Sequence, residues 1–498
     1  METLYRSDRR SAESDRLCYR VLPADRLTPV QAAGNLRSAG HRVCLLESTA
    51  GPTSLASYSF CALDPELSLR TDDGGVHVTR PGQPLETHRA GTLEVLRDLS
   101  KELKLPPAPR FGRDGTMELP PFHGGLVGYL GFETASELES SVPVPEADPL
   151  GTPRSRFEAY RTVVGFDHRA QTMTLSTICR GGAGEFAAAS ERLDALEQDL
   201  FENLGELPSR FECEGLEPSA GPEVFLSQVE RLQAAIRAGE IFQAVPSRRR
   251  TGRYSGDLFA LYRALRLTNS APHMFFFETD EVALVGSSPE RLVEVEGSRL
   301  RTVPIAGTRP RGRDSAEDRE LEAELRASIK ERSEHDMLVD LARNDLGRVA
   351  RIGTVEVVEH ARCLRFPRVQ HLVSRVEAEL RSDFDGLDAL ASCFPAGTVS
   401  GAPKVRALQL IAELERERRG PYAGAFGYLD PRGGLDMAIC IRTFVAGGGQ
   451  LSLQAGAGIV HASDPAAELA EVEAKLSGPL AALELLAANA AEVQEVTT

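Results

Sequence analysis

The stretch 329–346, IKERSEHDMLVDLARNDL, sets the reading of this chain. Its apolar residues Met337, Leu338, Leu341 and Leu346 recur at spacings of one, three and five, with no Gly or Pro among them. That pattern predicts an amphipathic helix. Glu331 and Glu334 stand three apart and so share one helix face. A second pair at the same spacing, Glu468 and Glu471, lies in SDPAAELAEVEAK near the C-terminus. Two carboxylate pairs on two helices can hold a hard divalent cation, and Mg²⁺ keeps waters and is completed by an anionic substrate. Taken alone, an E-x-x-E pair reads first as a solvated helix face. What lies between the pairs decides.

Composition sets bounds. The 498 residues are 42% hydrophobic and 26% charged, ordinary for a globular protein with room for several domain-sized units. No apolar run approaches the ~18 residues of a membrane span. The polar start METLYRSDRRSAESDR is no secretory signal. Eight scattered cysteines, with no C-x-x-C pair, read as reduced thiols of a cytoplasmic protein. A net charge of −16 excludes nucleic acid as a main partner, because phosphate binding needs a basic footprint. The one basic knot, Ser247 to Arg253, reads as a solvated strand edge.

Residues 1–15 read as a disordered tail and 16–204 as an N-terminal unit of short β-rich runs with a few helices. Residues 205–222, polar and proline-containing, read as a linker, and Pro106–Pro121 as a surface loop. Residues 223–488 then form a unit of helices (about 223–239, 256–268, 315–346, 386–393, 403–415, 465–487) alternating with strands, among them 242–249, 291–303, 368–380 and 438–446.

Three Gly-rich segments offer anion sites. Ala306-Gly307-Thr308 follows a strand and can present backbone N–H groups and a hydroxyl, though a plain turn explains it as well. Gly401-Ala402-Pro403 can open a helix, but no P-loop spacing is present. Gln454–Ile459 lacks the third Gly of a dinucleotide loop, so a Rossmann reading is rejected. Arg442, within the apolar run AICIRTF, needs an anionic partner if it points inward; a substrate carboxylate and a structural Asp serve equally. His371 in VQHLVS is a candidate proton carrier, against the commoner structural histidine. Neither G-x-S-x-G nor G-x-C-x-G occurs, so no acyl-transfer nucleophile is visible.

In order along the chain, EIFQAVPSRR (240–249), SSPERL (287–292), PIAGTRPRG (304–312), ERSEHDMLVDLARNDLGRV (331–349), FPAGTVSGAPKVRALQLI (394–411), GPYAGAFGY (420–428) and QAGAGIV (454–460) resemble the chorismate-utilising enzymes, most closely their anthranilate synthase component I branch. The match is dense over about 223–480 and looser over about 17–180, where LLES (45–48) and GGLVGYLGFE are recognisable. The resemblance implies an α+β fold, two antiparallel β-sheets stacked between helix layers in an αββα arrangement. It implies a Mg²⁺-dependent lyase that turns chorismate and ammonia into anthranilate and pyruvate, the ammonia coming from a separate glutamine amidotransferase subunit in a hetero-oligomer. By resemblance, Glu331, Glu334, Glu468 and Glu471 surround Mg²⁺ on the ring carboxylate. Arg442, Tyr422, Thr398, Lys475 and the backbone at Gly456, Ala457 and Gly458 hold the enolpyruvyl end. Glu290 is the general acid, His371 removes the ring C2 proton, and Thr308 and Gln243 complete the catalytic set. Family isochorismate and salicylate synthases carry a water-activating Lys where this chain has Gln243, so a nitrogen nucleophile is favoured. Ala306 stands where aminodeoxychorismate synthases often have Lys. That enzyme of the folate pathway, or a chorismate-aminating enzyme of specialised metabolism, is the alternative. Glu47 and Ser48 with Pro272, His273 and Met274 resemble a tryptophan feedback site, His273 replacing the usual Tyr. VEAK (472–475) and RFPRVQH (365–371) depart from the usual TxNK and RYSxVMH.

Overall fold

The computed structural model describes residues 15–49, 57–103, 119–180, 184–202, 205–365 and 369–497, with side chains up to 490. The expected tail and most of the Pro106–Pro121 loop lie outside these residues. Two large antiparallel sheets dominate. In the first, eleven strands run in spatial order Arg16–Pro23, Thr172–Cys179, Thr162–Asp167, Tyr58–Leu63, Val43–Glu47, His273–Glu278, Ala283–Ser288, Thr443–Gly447, Gln450–Gly456, Ser247–Gly256 and Phe211–Pro218. The second, twelve-stranded, centres on Arg291–Glu296, Leu435–Ile439, Ala425–Leu429 and Gly125–Leu130, and ends at Ile305–Pro310 beside Val369–Glu379.

Three apolar layers follow from this stacking. Between the sheets lie Phe60, Phe122, Val127, Phe275, Phe277, Leu284 and Phe426, drawn from both. Phe275 of one sheet stacks on Phe426 of the other with ring centroids 4.1 Å apart. Gly286 makes room, since a Cβ there would sit 2.1 Å from the Phe275 ring. The outer face of the first sheet packs on helices that include Leu258–Thr268 and Pro465–Thr497, and that of the second on Ile329–Gly347 and Gly386–Cys393. This explains the strand HMFFFE, apolar at consecutive positions: both faces of its sheet are covered, so both sets of alternate side chains are buried. The expected α+β, sheet-on-sheet architecture is the one found.

Four expectations change. The single helix over 315–346 is two, Ser315–Ala327 and Ile329–Gly347, divided at Ser328, whose extended backbone ends one helix while its hydroxyl accepts the Glu331 N–H that opens the next. The strand expected over 242–249 is likewise two, Gln243–Ala244 pairing with Gly401–Ala402, and Ser247–Gly256. The polar stretch 205–222 is no free linker: Phe211–Pro218 pairs with Ser247–Gly256 and forms the edge of the first sheet. The basic run 247–253 therefore lies inside that sheet, with Arg249 buried against Gln454 and Glu417, and Arg248 and Arg250 both on Glu473. Because both sheets mix strands from 16–204 and 223–488, these two halves share one folded body rather than dividing into separate cores.

One buried charge ties the halves together. The Arg419 guanidinium, 1% exposed, donates to Glu415 at 2.7 Å, to the Val399 carbonyl at 2.9 Å and to the Val245 carbonyl at 2.6 Å. Its own backbone N–H and that of Gly420 donate to Glu133 of the N-terminal half, at 2.6 and 3.1 Å. Replacing Arg419 by Met leaves Glu415 charged and two carbonyls unpaired in the interior. The expected loss is about 3–5 kcal/mol of unfolding free energy, read by urea denaturation. Adding Glu415→Gln should recover part of it, whereas additive losses would show that the two side chains act independently.

Candidate active site

The site forms where the edge of the second sheet, the ends of the first and two helices converge. His371 on Val369–Glu379 stands opposite Thr308 on Ile305–Pro310, across a bulge at Gly307 with φ +66°. Ala306-Gly307-Thr308 is thus a bulged strand and not a turn. Nδ1 of His371 lies 3.0 Å from the Gly307 carbonyl and 3.0 Å from the Thr308 hydroxyl. A carbonyl only accepts, so Nδ1 carries the proton and Nε2 keeps the basic lone pair. Burial, reinforced by the Arg442 charge, lowers the His371 pKa, which keeps the imidazole neutral.

The same bulge lies against the Ile329–Gly347 helix. A Cβ at Gly307 would sit 3.1 Å from Oε2 of Glu331, whose other oxygen accepts from Arg309 at 3.1 Å. Across from it, Lys475 of the Pro465–Thr497 helix pairs with Glu471 at 2.7 Å and donates to the Gly456 carbonyl at 2.9 Å. Burial raises Glu334, and the charges of Glu471 and Glu331 push it the same way; burial likewise raises Glu468, with Glu471 adding to it and Ser463 opposing it. Glu334 thus lies within charge range of Glu331 and Glu471, and Glu468 within that of Glu471. Among the described residues no three His, Cys, Asp or Glu stand close enough to form a metal cage. The donors are hard carboxylate oxygens of the type Mg²⁺ takes, and the mutual repulsion is what a cation would relieve. Arg309 and Lys475, absent from the E-x-x-E pattern, hold the outer two.

Gly458 and Gly456 admit these groups by lacking a side chain. A Cβ at Gly458 would meet Gln243 Nε2 at 2.9 Å and lie 3.8 Å from Glu334; one at Gly456 would lie 3.1 Å from the Tyr422 hydroxyl. Ala457, buried between them, donates to the Pro246 carbonyl. Arg442 is not inside a strand as expected. Leu435–Ile439 belongs to the second sheet and Thr443–Gly447 to the first, and Arg442, at φ +52°, lies in the crossing between them. Its guanidinium makes no hydrogen bond or ion pair among the described residues, so the structural Asp of the sequence reading is absent there, and burial lowers its pKa against the pull of Tyr422 and Glu471. A cation so placed is a receptor for an anionic ligand.

Glu290 is buried in the turn between Ala283–Ser288 and Arg291–Glu296. Thr398 donates to it at 3.2 Å, so this hydroxyl is committed to the acid. Burial pushes the Glu290 carboxyl up to about 8 against the opposing Thr398 hydrogen bond and Lys475 charge. A neutral acid and a neutral base are thereby available near neutral pH.

The second cluster is also assembled. Glu47 and Met274 are register partners, and Ser48 Oγ donates to the Pro272 carbonyl at 2.8 Å. Burial, with Arg291 nearby, pushes His273 down to about 3. Glu47 accepts from Tyr262 at 2.8 Å and from Arg266 at 2.9 Å, two residues on Leu258–Thr268 that the motif did not reveal.

Comparison with known proteins shows the family. The chorismate binding enzyme family matches residues 42–481. Anthranilate synthase component 1 of Geobacillus stearothermophilus is 40% identical over 490 residues, covering 94% of both chains. That of Streptomyces coelicolor is 41% identical over 471 residues, covering 92% of this chain and 87% of the relative. The crystal structure of anthranilate synthase component I from Streptococcus pneumoniae superposes with a TM-score of 0.74 at 32% identity, covering 85% of this chain and 92% of that one. A menaquinone-specific isochorismate synthase from Escherichia coli, 19% identical with a TM-score of 0.69, shares the fold. The chain belongs to the chorismate binding enzymes, in the group of the anthranilate synthase component I proteins.

Proposed function

We propose that this chain is the large subunit of an anthranilate synthase, converting chorismate and ammonia to anthranilate and pyruvate at the head of tryptophan biosynthesis. The observation that carries this reading is Gln243, buried against Gly458 and facing Glu334. A glutamine has no basic group and cannot deprotonate water, so the nucleophile must attack without first losing a proton. Ammonia does, and a partner glutamine amidotransferase subunit supplies it. Glu331, Glu334, Glu468 and Glu471 would hold Mg²⁺, which would supply positive charge for the ring carboxylate of chorismate. Arg442, Tyr422 and Lys475 bind the enolpyruvyl carboxylate, the unpaired Arg442 forming the main contact. Ammonia attacks C2 while the Glu290 carboxyl protonates the departing C4 hydroxyl. Nε2 of His371, its proton fixed on Nδ1 by Gly307, then removes the C2 proton as pyruvate leaves and the ring becomes aromatic. Glu47, Ser48, Pro272, His273 and Met274 form the pocket for tryptophan as feedback inhibitor. No described helix is long and apolar enough to cross a membrane, which accords with a cytoplasmic enzyme.

Purified chain with chorismate, Mg²⁺ and an ammonium salt should yield anthranilate and pyruvate. Glu331→Gln should abolish the Mg²⁺-dependent turnover. Retained turnover in that variant would remove Glu331 from the cation site, and an aminated product that keeps its side chain would replace the reading altogether.

Glu290→Gln should lower kcat by roughly 10²–10⁴-fold. Its stability effect has a definite sign. The folded carboxyl titrates near 8 against an ordinary 4.5, so stability present below pH 4.5 is lost as pH rises through about 8, where the buried group must ionise. Glutamine has no such dependence, so the variant should gain melting temperature over the wild type at pH 9 and gain little at pH 4. An equal difference at both pH values would place Glu290 in contact with water.

A further inference from the structure

Glu290 spends a proton in each turnover and lies where bulk water does not reach it freely, 8% exposed. With substrate in place, the proton must return by another route. A cavity of about 40 Å³ touches Glu290, and Thr302, Thr398, Leu341, Ala342 and Asp345 also line it. A water needs roughly 10–15 Å³ and two to four polar partners, so this space has room for two or three. Glu290, the two threonine hydroxyls and Asp345 supply the partners. Leu341 and Asp345 are four apart on Ile329–Gly347, which turns both onto the cavity.

At its other end the cavity meets a charged pair that no step above employs. Lys404 Nζ lies 3.1 Å from each oxygen of Asp345 and donates to the Cys393 carbonyl at 3.2 Å. The Asp345 and Lys404 side chains are 13% and 16% exposed, so this pair keeps a contact with solvent. We propose that Asp345, through water in this cavity, returns to Glu290 the proton that Glu290 gives to the leaving hydroxyl. The inference rests on the reading of Glu290 as the general acid.

The steps balance without electron transfer. The Glu290 O–H breaks as its proton passes to the C4 oxygen, which departs as water. A cavity water then gives a proton to the Glu290 carboxylate and takes one from Asp345, which takes one from solvent beside Lys404. The order of acidity suits this direction. Burial pushes Asp345 up to about 6 despite Lys404 and Arg348, and Glu290 to about 8 despite Thr398, Lys475 and the Ile305 N–H. Of the other titratable groups on the cavity, Arg291 is held charged by Asp436 and Glu294, and the Cys393 thiol is pushed up to about 12 by burial and stays protonated.

The test measures Asp345→Asn in the full chain at saturating chorismate, Mg²⁺ and ammonium. kcat should fall roughly tenfold, as expected for a slowed proton transfer. KM for chorismate should be unchanged, the solvent deuterium isotope effect on kcat should rise, and Asp345→Glu should restore most of the rate. Ala342→Leu fills the cavity with apolar atoms and touches no charge, so it should reproduce the slower rate and larger isotope effect even if Asp345→Asn folds poorly. An unchanged kcat in both variants, or a lower kcat with an unchanged isotope effect, overturns the relay. Wild-type chain that makes no anthranilate overturns the parent reading and the relay with it; wild type that makes it alongside unaffected variants overturns the relay alone.

Discussion

The Arg419–Glu415 pair is the constraint on which the site depends. Glu415 accepts from the backbone N–H and hydroxyl of Ser247 as well as from Arg419, and the guanidinium lies over the rings of Phe132 and Tyr422. Val245 precedes the strand of the first sheet that leads to the Gly456 register, Val399 follows Thr398, and Gly420 opens the segment carrying Tyr422. Three walls of the site thus hang from one cation. A buried ion pair is weak evidence for net stability, because its desolvation offsets its attraction. Its effect here is geometric: four hydrogen bonds from one planar fork hold Glu415, Val399 and Val245, distant in sequence, in a fixed arrangement.

Around that anchor the interior sets two acidities in opposite directions. Burial disfavours charge on both Glu290 and His371, raising the acid and lowering the base. Both then rest in neutral form, one able to give a proton and the other to take one. The anionic ligand is met by groups treated differently. Arg442 stays charged in its half-buried position because a guanidinium is too strong a base to be neutralised by its surroundings. An acidic protein of net charge −16 can receive a dianion this way, since the local field and not the total charge acts at short range.

What the sequence revealed follows physical range. The αββα architecture came from the resemblance carried by the motifs, whereas most helices were legible because burial writes a period into the chain, as in the Ile329–Gly347 helix. The break at Ser328 was legible in principle, since Ser328 and Glu331 have the S-x-x-E spacing of a helix start. The strand Phe211–Pro218 was not, because two prolines bracket it and its partner is supplied by distant residues. Arg442 was misplaced for the same reason: two apolar strands joined by three residues look like one, and only the third dimension assigns them to different sheets. Of the site residues, the motifs pointed to those the proposal gives a role toward the substrate. Arg309, Tyr262, Arg266, Asp345 and Lys404 act on other side chains, and no local pattern marks such contacts.

The two clusters are coupled by shared strands. Met274 pairs with Glu47 on one side and with Ser287 on the other, while the Ser287 N–H donates to the Arg442 carbonyl at 3.2 Å. Glu290 follows three residues after Ser287, and Arg291 next to it is the charge that depresses His273. Only the strand Ala283–Ser288 separates the Glu47 cluster from Arg442, and that strand ends at the general acid. A ligand that moves Met274 relative to Glu47 must either break this ladder or carry Ser287 with it. In the second case Arg442 shifts with it, through the Ser287 N–H.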